Sequence, residues 1–381
     1  MGGLWKSCGY FWEETAQPPD FEGFDSGARA AYAVPVVFEA EERVSNRVRV
    51  VQFGMGPIGL ALAREVLARP DLELIGVVDR SAGLAGRPLD ELLGPEAHRL
   101  PRVVPNLGDL PLPPQPRVVL HATGSRLEDV APQLEEILSL RCHCVSSCEE
   151  LSFPYLRHAE LGRRLDELAK SSGVGLVGAG VNPGFALDLL PAVLSTACRR
   201  VDRVEASRAV EVTRRREPLQ LKVGLGMTLD AYRTKEKATG GMGHVGLAES
   251  AALLGSALGW RVDQVTEFSE PLVTQHEITI GQHTLAPGTV LGTRTRATLS
   301  DDGKERVSLQ VTIAAAVGRE EDHIVLEGDP RLELVIPGGI PGDSATASIL
   351  ASLARRIVAV PPGLHSVLTL PVVPPGPPRL L

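Results

Sequence analysis

Arg49-Val50-Val51-Gln52-Phe53-Gly54-Met55-Gly56-Pro57-Ile58-Gly59 is the stretch whose reading decides the fold. Its first five residues have the apolar run of a buried strand, and from Pro57 to Leu67 the apolar positions recur at helical spacing. Between strand and helix stand three glycines in the pattern Gly-x-Gly-x-x-Gly. Gly54 allows a tight turn, Gly56 lets a ligand approach the backbone, and Gly59 lets the helix pack closely on the strand. Pro57 suits a first helical turn, where its missing N–H is not needed. The free N–H groups and the helix dipole at such a start favour an anion. Leu72 to Val78 reads as the next strand and closes on Asp79-Arg80, with Asp79 standing 20 residues beyond Gly59. Strand, glycine turn, helix, strand and acid together point to a dinucleotide diphosphate held by Gly54, Met55, Gly56, Pro57, Ile58 and Gly59. Asp79 is then expected to accept hydrogen bonds from the adenosine ribose, which puts NAD first. Arg80 offers a partner for a 2′-phosphate, so NADP stays open.

The alternation continues along the chain. Strands are expected at Arg117–Ala122, Cys142–Ser147 and Val174–Val177, with helices around Val130–Leu140 and Ala159–Ser171 between them. Strands alternating with helices imply a Rossmann-type, doubly wound parallel sheet covered on both faces. From about Cys198 the pattern changes to strands separated by turn signals such as Asp301-Asp302-Gly303, with a helix at Leu247–Leu258. That grammar implies a second α+β domain with a mainly antiparallel sheet. A last helix, Asp343–Ile357, is placed to fold back onto the first domain, and the proline-rich tail from Pro361 is expected to run extended over the surface. The expected division is an N-terminal extension at residues 1–46, a dinucleotide-binding domain at 47–180 joined by 341–381, and a substrate-binding and dimerisation domain at 181–340. The extension holds Trp5 and Trp12 without sustained periodicity, and is read as a poorly ordered arm rather than a signal peptide.

Composition bounds the partners. The 381 residues include 47 acids against 39 basic residues, a net charge of −8, which argues against a general nucleic-acid binder. No apolar run reaches the roughly 18 residues of a membrane-spanning helix, and five cysteines make an odd number for a disulfide framework. A cytoplasmic protein is expected. Cys142, Cys144 and Cys148 lack a second cysteine pair to complete a zinc site, so they read as buried thiols with no metal. The run Arg214-Arg215-Arg216 is interleaved with Glu205, Glu211 and Glu217 and reads as a solvated, paired face, with one arginine free to reach a substrate carboxylate.

Several segments carry candidate chemistry. Ala122-Thr123-Gly124 ends the third strand at the edge where a parallel sheet binds ligands, and its small residues would let a nicotinamide pass close to the backbone. Glu149-Glu150 ends the next strand at that same edge. One acid there could have its pKa raised by desolvation and move protons, while on the motif alone a helix-capping acid is the better reading. Asn182-Pro183-Gly184 is a turn signal at the junction of the two domains, where Asn182 could hold a substrate or a carboxamide. His244 opens a helix and reads first as a loop or capping residue.

Five ordered segments carry a resemblance: GMGPIG at 54–59, SSCEELSFPY at 146–155, GAGVNPGF at 178–185, GMGHVGLAES at 241–250 and PGGIPGDSATASIL at 337–350. Together they resemble the 2,4-diaminopentanoate dehydrogenases and native amine dehydrogenases within the dihydrodipicolinate reductase-like superfamily, over Arg47 to Pro375. The resemblance implies an oxidoreductase that oxidises a primary amine carbon, or reductively aminates a ketone with ammonia, using NAD or NADP. It implies proton transfer by Glu149, with Glu150 as the alternative register. It also implies a substrate pocket lined by Asn182 and Arg208, and a homodimer built through the second domain; Pro183, Phe185 and His244, in the same quoted segments, are further candidates for substrate binding. Dihydrodipicolinate reductases proper carry paired histidines, and this chain has no His-His. That argues against a lysine-pathway reductase role; reduction of a cyclic imine or another C=N compound is kept as the enzymatic alternative, and a nucleotide-binding sensor without catalysis is the other.

Overall fold

The computed structural model describes residues 47–114, 117–239, 241–280 and 283–370. The expected extension at 1–46 and the last residues of the tail lie outside the described residues, as does Gly240. Strand β1 (Val48–Phe53) follows from its composition, with all but one position buried. Its side chains alternate between faces as pleating requires: Val48 and Val50 enter one apolar core, Val51 and Phe53 the other. Helix α1 (Pro57–Ala68) follows, then β2 (Leu72–Val78), which matches the expected span, and a short α2 (Asp90–Leu93). Next come β3 (Arg117–His121), α3 (Leu127–Ser139), β4 (His143–Ser146), α4 (Ala159–Ser172) and β5 (Gly175–Gly178). All neighbouring pairs in this sheet run parallel. Helices α3 and α4 cover one face through Leu134, Ile137 and Leu165.

The chain continues through α5 (Leu189–Ser195), β6 (Arg200–Glu211), α6 (Glu217–Lys222), α7 (Leu229–Thr239) and α8 (Leu247–Ala257). Strands β7 (Gln264–Val273), β8 (Ile278–Ile280), β9 (His283–Leu285), β10 (Val290–Asp301), β11 (Lys304–Ala314), β12 (Glu321–Asp329) and β13 (Leu332–Pro337) follow. The second sheet has the order β13-β12-β6-β11-β10-β7. It is antiparallel except between β6 and β11, which run parallel. Helix α8 lays Leu247, Ala251 and Leu254 on Ala206, Ala297 and Leu309 of that sheet.

Helix α9 (Gly342–Ile357) returns to the first sheet, where Leu350, Ala351 and Ala354 share a core with Leu62, Ala63 and Val66 of α1. The tail differs from expectation. Residues Gly363–His365 form β14, which pairs in parallel with β5, giving the order β14-β5-β4-β3-β1-β2. The physical reason is that β5 would otherwise end the sheet with an unpaired row of backbone groups. Pro361 and Pro362 stop short of the strand, so Gly-Leu-His can still donate. The Leu364 N–H is further tied to Asp166 Oδ1 at 2.9 Å.

Candidate functional site

One cavity of about 610 Å³ opens at the carboxyl ends of β1, β3, β4 and β5, and reaches β6, β11 and the start of α9. That edge is where a parallel sheet presents loops and helix starts to a ligand.

The glycine turn forms its floor. Gly54 has φ +92°, and a Cβ there would lie 2.4 Å from the Ala122 carbonyl oxygen, so no other residue fits. A Cβ on Gly59 would lie 1.8 Å from the Gly54 carbonyl oxygen, which is the close packing of α1 on β1 foreseen in the sequence. Beside Gly56 nothing lies within 4 Å of an added Cβ, and Gly56 opens α1 without any side-chain cap. An uncapped helix start facing open space is a cradle that a diphosphate fits. Gly56, Pro57 and Ile58 line the cavity, while buried Met55 acts through its backbone, donating to Asp79 Oδ2 at 2.7 Å. Burial works to raise the Asp79 pKa, but hydrogen bonds from the Ser81 hydroxyl, the Ser81 N–H and the Met55 N–H outweigh it and hold the carboxyl below its ordinary range. Arg80 pairs with Glu136 at 2.6 Å and lies over the Phe53 ring, 5.7 Å from its centroid.

Ala122, Thr123, Gly124 and Ser125 form the adjoining wall. Thr123 is held from beneath: its hydroxyl donates to Gln133 Oε1 at 2.7 Å and meets His121 Nε2 at 2.8 Å. Desolvation pushes His121 down to about 4, so it packs as a neutral ring against Ser146.

Glu149 and Glu150 begin a 3₁₀ turn, Glu149–Ser152, and with three residues per turn their side chains diverge. Glu149 lines the cavity. Desolvation raises its pKa, against the lowering effects of Lys222, its own backbone and the Ser125 hydroxyl. Glu150 does not line the cavity. Its Oε2 accepts the Leu127 N–H at the start of α3 at 2.7 Å and meets His158 Nε2 at 3.0 Å. The capping reading therefore describes Glu150, and the cleft side of the turn belongs to Glu149.

Asn182, Pro183 and His244 line the opposite wall. The Asn182 amide donates to His244 Nε2 at 2.6 Å, and Asn182 Oδ1 is buried with no partner. Desolvation, followed by the charges of Lys222 and Arg208, pushes His244 down to about 3, so it is a neutral ring. The Asn-Pro-Gly loop is anchored by buried Asp188, which accepts the Gly184 N–H and the Ser250 hydroxyl, each at 2.8 Å. Phe185 departs from expectation: it does not line the cavity, and its carbonyl accepts the Leu190 N–H at 2.8 Å. The turn that brings Asn182 inward carries Phe185 toward α5.

Arg208 is 6% exposed, lines the cavity, stands 3.5 Å from Asp322 and donates to the Ile340 carbonyl. Sequence reasoning missed four further lining groups: Arg215, Arg216, Lys222 and Thr346. Arg215 and Arg216 were placed on a paired surface, and they do pair, with Glu320 and Asp343 at 2.8 Å each. Lys222 gave one weak signal, being one of six lysines beside an arginine-rich run. Thr346 sits in the late PGGIPGDSATASIL segment and accepts the Val181 N–H at 3.2 Å, joining α9 to the cleft.

A Rossmann-type sheet, a mixed second sheet and a cleft joining the glycine turn to a raised-pKa carboxyl define a nucleotide-dependent oxidoreductase. Residues 185–375, half of the chain, match the 2,4-diaminopentanoate dehydrogenase C-terminal domain, and the chain belongs to that family. It is similar to a 2,4-diaminopentanoate dehydrogenase of Acetoanaerobium sticklandii, 26% identical over 332 residues, covering 86% of this chain and 94% of that one. An amine dehydrogenase of Streptomyces virginiae is 26% identical, covering 86% of this chain and 97% of its own length. Among solved structures, an amine dehydrogenase from Mycobacterium smegmatis shares the fold with a TM-score of 0.73 at 23% identity, covering 85% of this chain and 96% of its own.

Proposed function

We propose that this chain is a nicotinamide-dinucleotide-dependent dehydrogenase acting on a primary amine carbon, with Glu149 as its proton-transfer group. The observation that carries the reading is that the open glycine turn and the desolvated Glu149 carboxyl line one cavity. When bound, the dinucleotide would supply the hydride acceptor in amine oxidation and the hydride donor in the reverse direction. Gly54, Gly56, Gly59 and the start of α1 would hold its diphosphate, and Ala122, Thr123 and Gly124 would flank its nicotinamide half.

The residues of the chain handle protons and geometry. The Glu149 carboxylate accepts a proton from the substrate ammonium, freeing the nitrogen lone pair that drives hydride loss from the same carbon. The unpartnered Asn182 Oδ1 offers a second acceptor to that nitrogen. Water then adds to the iminium carbon, and release of ammonia leaves the ketone. Neutral His244 fixes the Asn182 amide and takes no part in charge transfer at neutral pH.

NAD is placed ahead of NADP. Asp79 supports this, because its ionised carboxylate would meet a 2′-phosphate, and Arg80 is already engaged by Glu136. A homodimer through the second sheet is also proposed, supported by Phe268 on edge strand β7 (65% exposed) and Val335 on β13 (39% exposed). No helix among the described residues is long and apolar enough to cross a membrane. The free thiols of Cys142, Cys144, Cys148 and Cys198 support a reducing, cytoplasmic setting.

The test is Glu149→Ala, assayed on a panel of amines with NAD or NADP and on ketones with ammonia and the reduced cofactors. Loss of about 10² to 10⁴ in kcat with cofactor affinity retained is expected. Unimpaired turnover would remove Glu149 from the role.

A further inference from the structure

Strands β3 and β4 run side by side in parallel and end in register, with His121 opposite Ser146. Each then enters a segment that lines the cavity, Ala122–Ser125 after β3 and Ser147 with Glu149 after β4. The two segments are joined at their roots: the His121 carbonyl accepts the Ser147 N–H at 2.9 Å, and the His121 ring meets the Ser146 hydroxyl at 2.8 Å. At their tips one residue makes the join. The Ser125 carbonyl accepts the Cys148 thiol and the Glu150 N–H, each at 3.3 Å, on either side of Glu149. The opening N–H groups of a 3₁₀ turn have no partner inside it, and the Glu149–Ser152 turn has no side-chain cap, so this carbonyl supplies an acceptor the turn lacks. The Ser125 hydroxyl donates to the Glu149 carboxyl itself.

We propose that Ser125 is a positioning residue for Glu149. Its carbonyl seats the turn that carries the acid, and its hydroxyl holds the carboxylate beside the wall that flanks the nicotinamide. Proton acceptor and hydride acceptor then meet the nitrogen and the carbon of one substrate together. The proposal rests on the proton-transfer reading of Glu149.

Removing the hydroxyl leaves the other influences on Glu149 in place. Desolvation raises its pKa; Lys222 of α6 acts against that, and Glu150 on its own turn adds to it. His244, ahead of α8, is a neutral ring, and Glu249 of α8 is held by Arg157 at 2.7 Å. Burial pushes the Cys148 thiol up, so it stays protonated. The arginines that line the cavity each stand beside an acid. A donated hydrogen bond favours the ionised carboxylate, so its loss raises the Glu149 pKa further.

The experiment records pH–rate profiles with NAD and 2-aminopentane or 4-aminopentanoate, whichever the wild type turns over, for the wild type, Ser125→Ala and Ser125→Thr. In Ser125→Ala, kcat is expected to fall about tenfold to a hundredfold, the size of a hydrogen bond to a charged group, with KM and NADH affinity within about twofold. The acid limb should move to higher pH by about one pH unit, and Ser125→Thr, which keeps a hydroxyl, should bring both back toward the wild type. Adding Ser125→Ala to Glu149→Ala should cost no further rate, because the two residues act as one unit; a full additive loss overturns the proposal. A second readout titrates Glu149 without turnover, through the infrared C=O band of its protonated carboxyl, assigned by its loss in Glu149→Gln. The midpoint of that band should rise in Ser125→Ala. If it rises while the wild type oxidises neither amine, or while Glu149→Ala turns over like the wild type, the hold of Ser125 on Glu149 stands and the proton-transfer reading falls. An unmoved midpoint overturns the proposal, whatever the loss of rate. A loss of NADH affinity in Ser125→Ala with the midpoint unmoved likewise overturns it and assigns the serine to the cofactor.

Discussion

Gly246→Ala perturbs the point where the two halves of the cleft touch. Gly246 precedes α8 with φ +93° and ψ 8°, and a Cβ there would lie 2.6 Å from Pro183 Cγ and 2.8 Å from Glu149 Cβ. The left-handed backbone costs an ordinary residue roughly 1–2 kcal/mol. Restoring carbon contacts of about 3.5 Å requires Pro183 to retreat by ~0.9 Å and Glu149 by ~0.7 Å. Neither neighbour is a flexible side-chain end, one being a ring and the other a Cβ, so overpacking adds about 1–3 kcal/mol. The expected destabilisation is therefore roughly 2–5 kcal/mol. Gly226→Ala is the control, since Gly226 has φ +81° but nothing within 4 Å, and only the backbone cost of about 1–2 kcal/mol applies. Urea denaturation of both variants measures the difference. A catalytic group displaced by nearly 1 Å can lose about 10² in rate, so kcat/KM for amine oxidation should fall in Gly246→Ala and not in Gly226→Ala. The reasoning is refuted if Gly246→Ala is as stable as Gly226→Ala and as active as the wild type.

Three further outcomes are expected. Gly56→Ala should fold normally, because Gly56 has φ −63° and open space beside it, yet its NADH affinity should drop at least about tenfold by fluorescence titration; undiminished affinity would place the diphosphate elsewhere. Glu150→Ala should lose the cap of α3 and about 0.5–2 kcal/mol of stability while keeping its turnover; the reverse pattern would hand the proton to Glu150. For amine oxidation the carboxylate form of Glu149 is the active one, so activity should fall as the pH drops through a pKa raised above the ordinary 4.5. Of the groups acting on Glu149, Lys222 and the Ser125 hydroxyl lower its pKa and Glu150 raises it, so Lys222→Met should move that acid limb to higher pH, and an unmoved limb would show that Lys222 does not act there.

Much of this was legible in the sequence, and the limits fall at identifiable places. The first strand, the glycine turn, α1 and β2 were readable because each depends on residues adjacent in the chain: alternation for strands, helical spacing for α1, and missing Cβ atoms at Gly54 and Gly59. Elements without strong periodicity were not read, among them α6, α7 and β13. The pair Glu149-Glu150 shows the boundary sharply. The sequence located both acids at the carboxyl edge of the sheet, yet which of them caps α3 rests on Leu127 and His158, which meet Glu150 only after α3 and α4 have packed.

By itself, then, the sequence determined the alternation of strands and helices from β1 to β5 and the glycine turn between β1 and α1, since propensity and steric freedom act over a few residues. Tertiary structure alone decided that Gly363–His365 completes the first sheet, that Phe185 does not line the cleft, and that Lys222 lines it together with Glu149 and His244. Each of these depends on segments far apart in the chain competing for the same unpaired edge, apolar surface or charge. That competition is settled by packing in three dimensions.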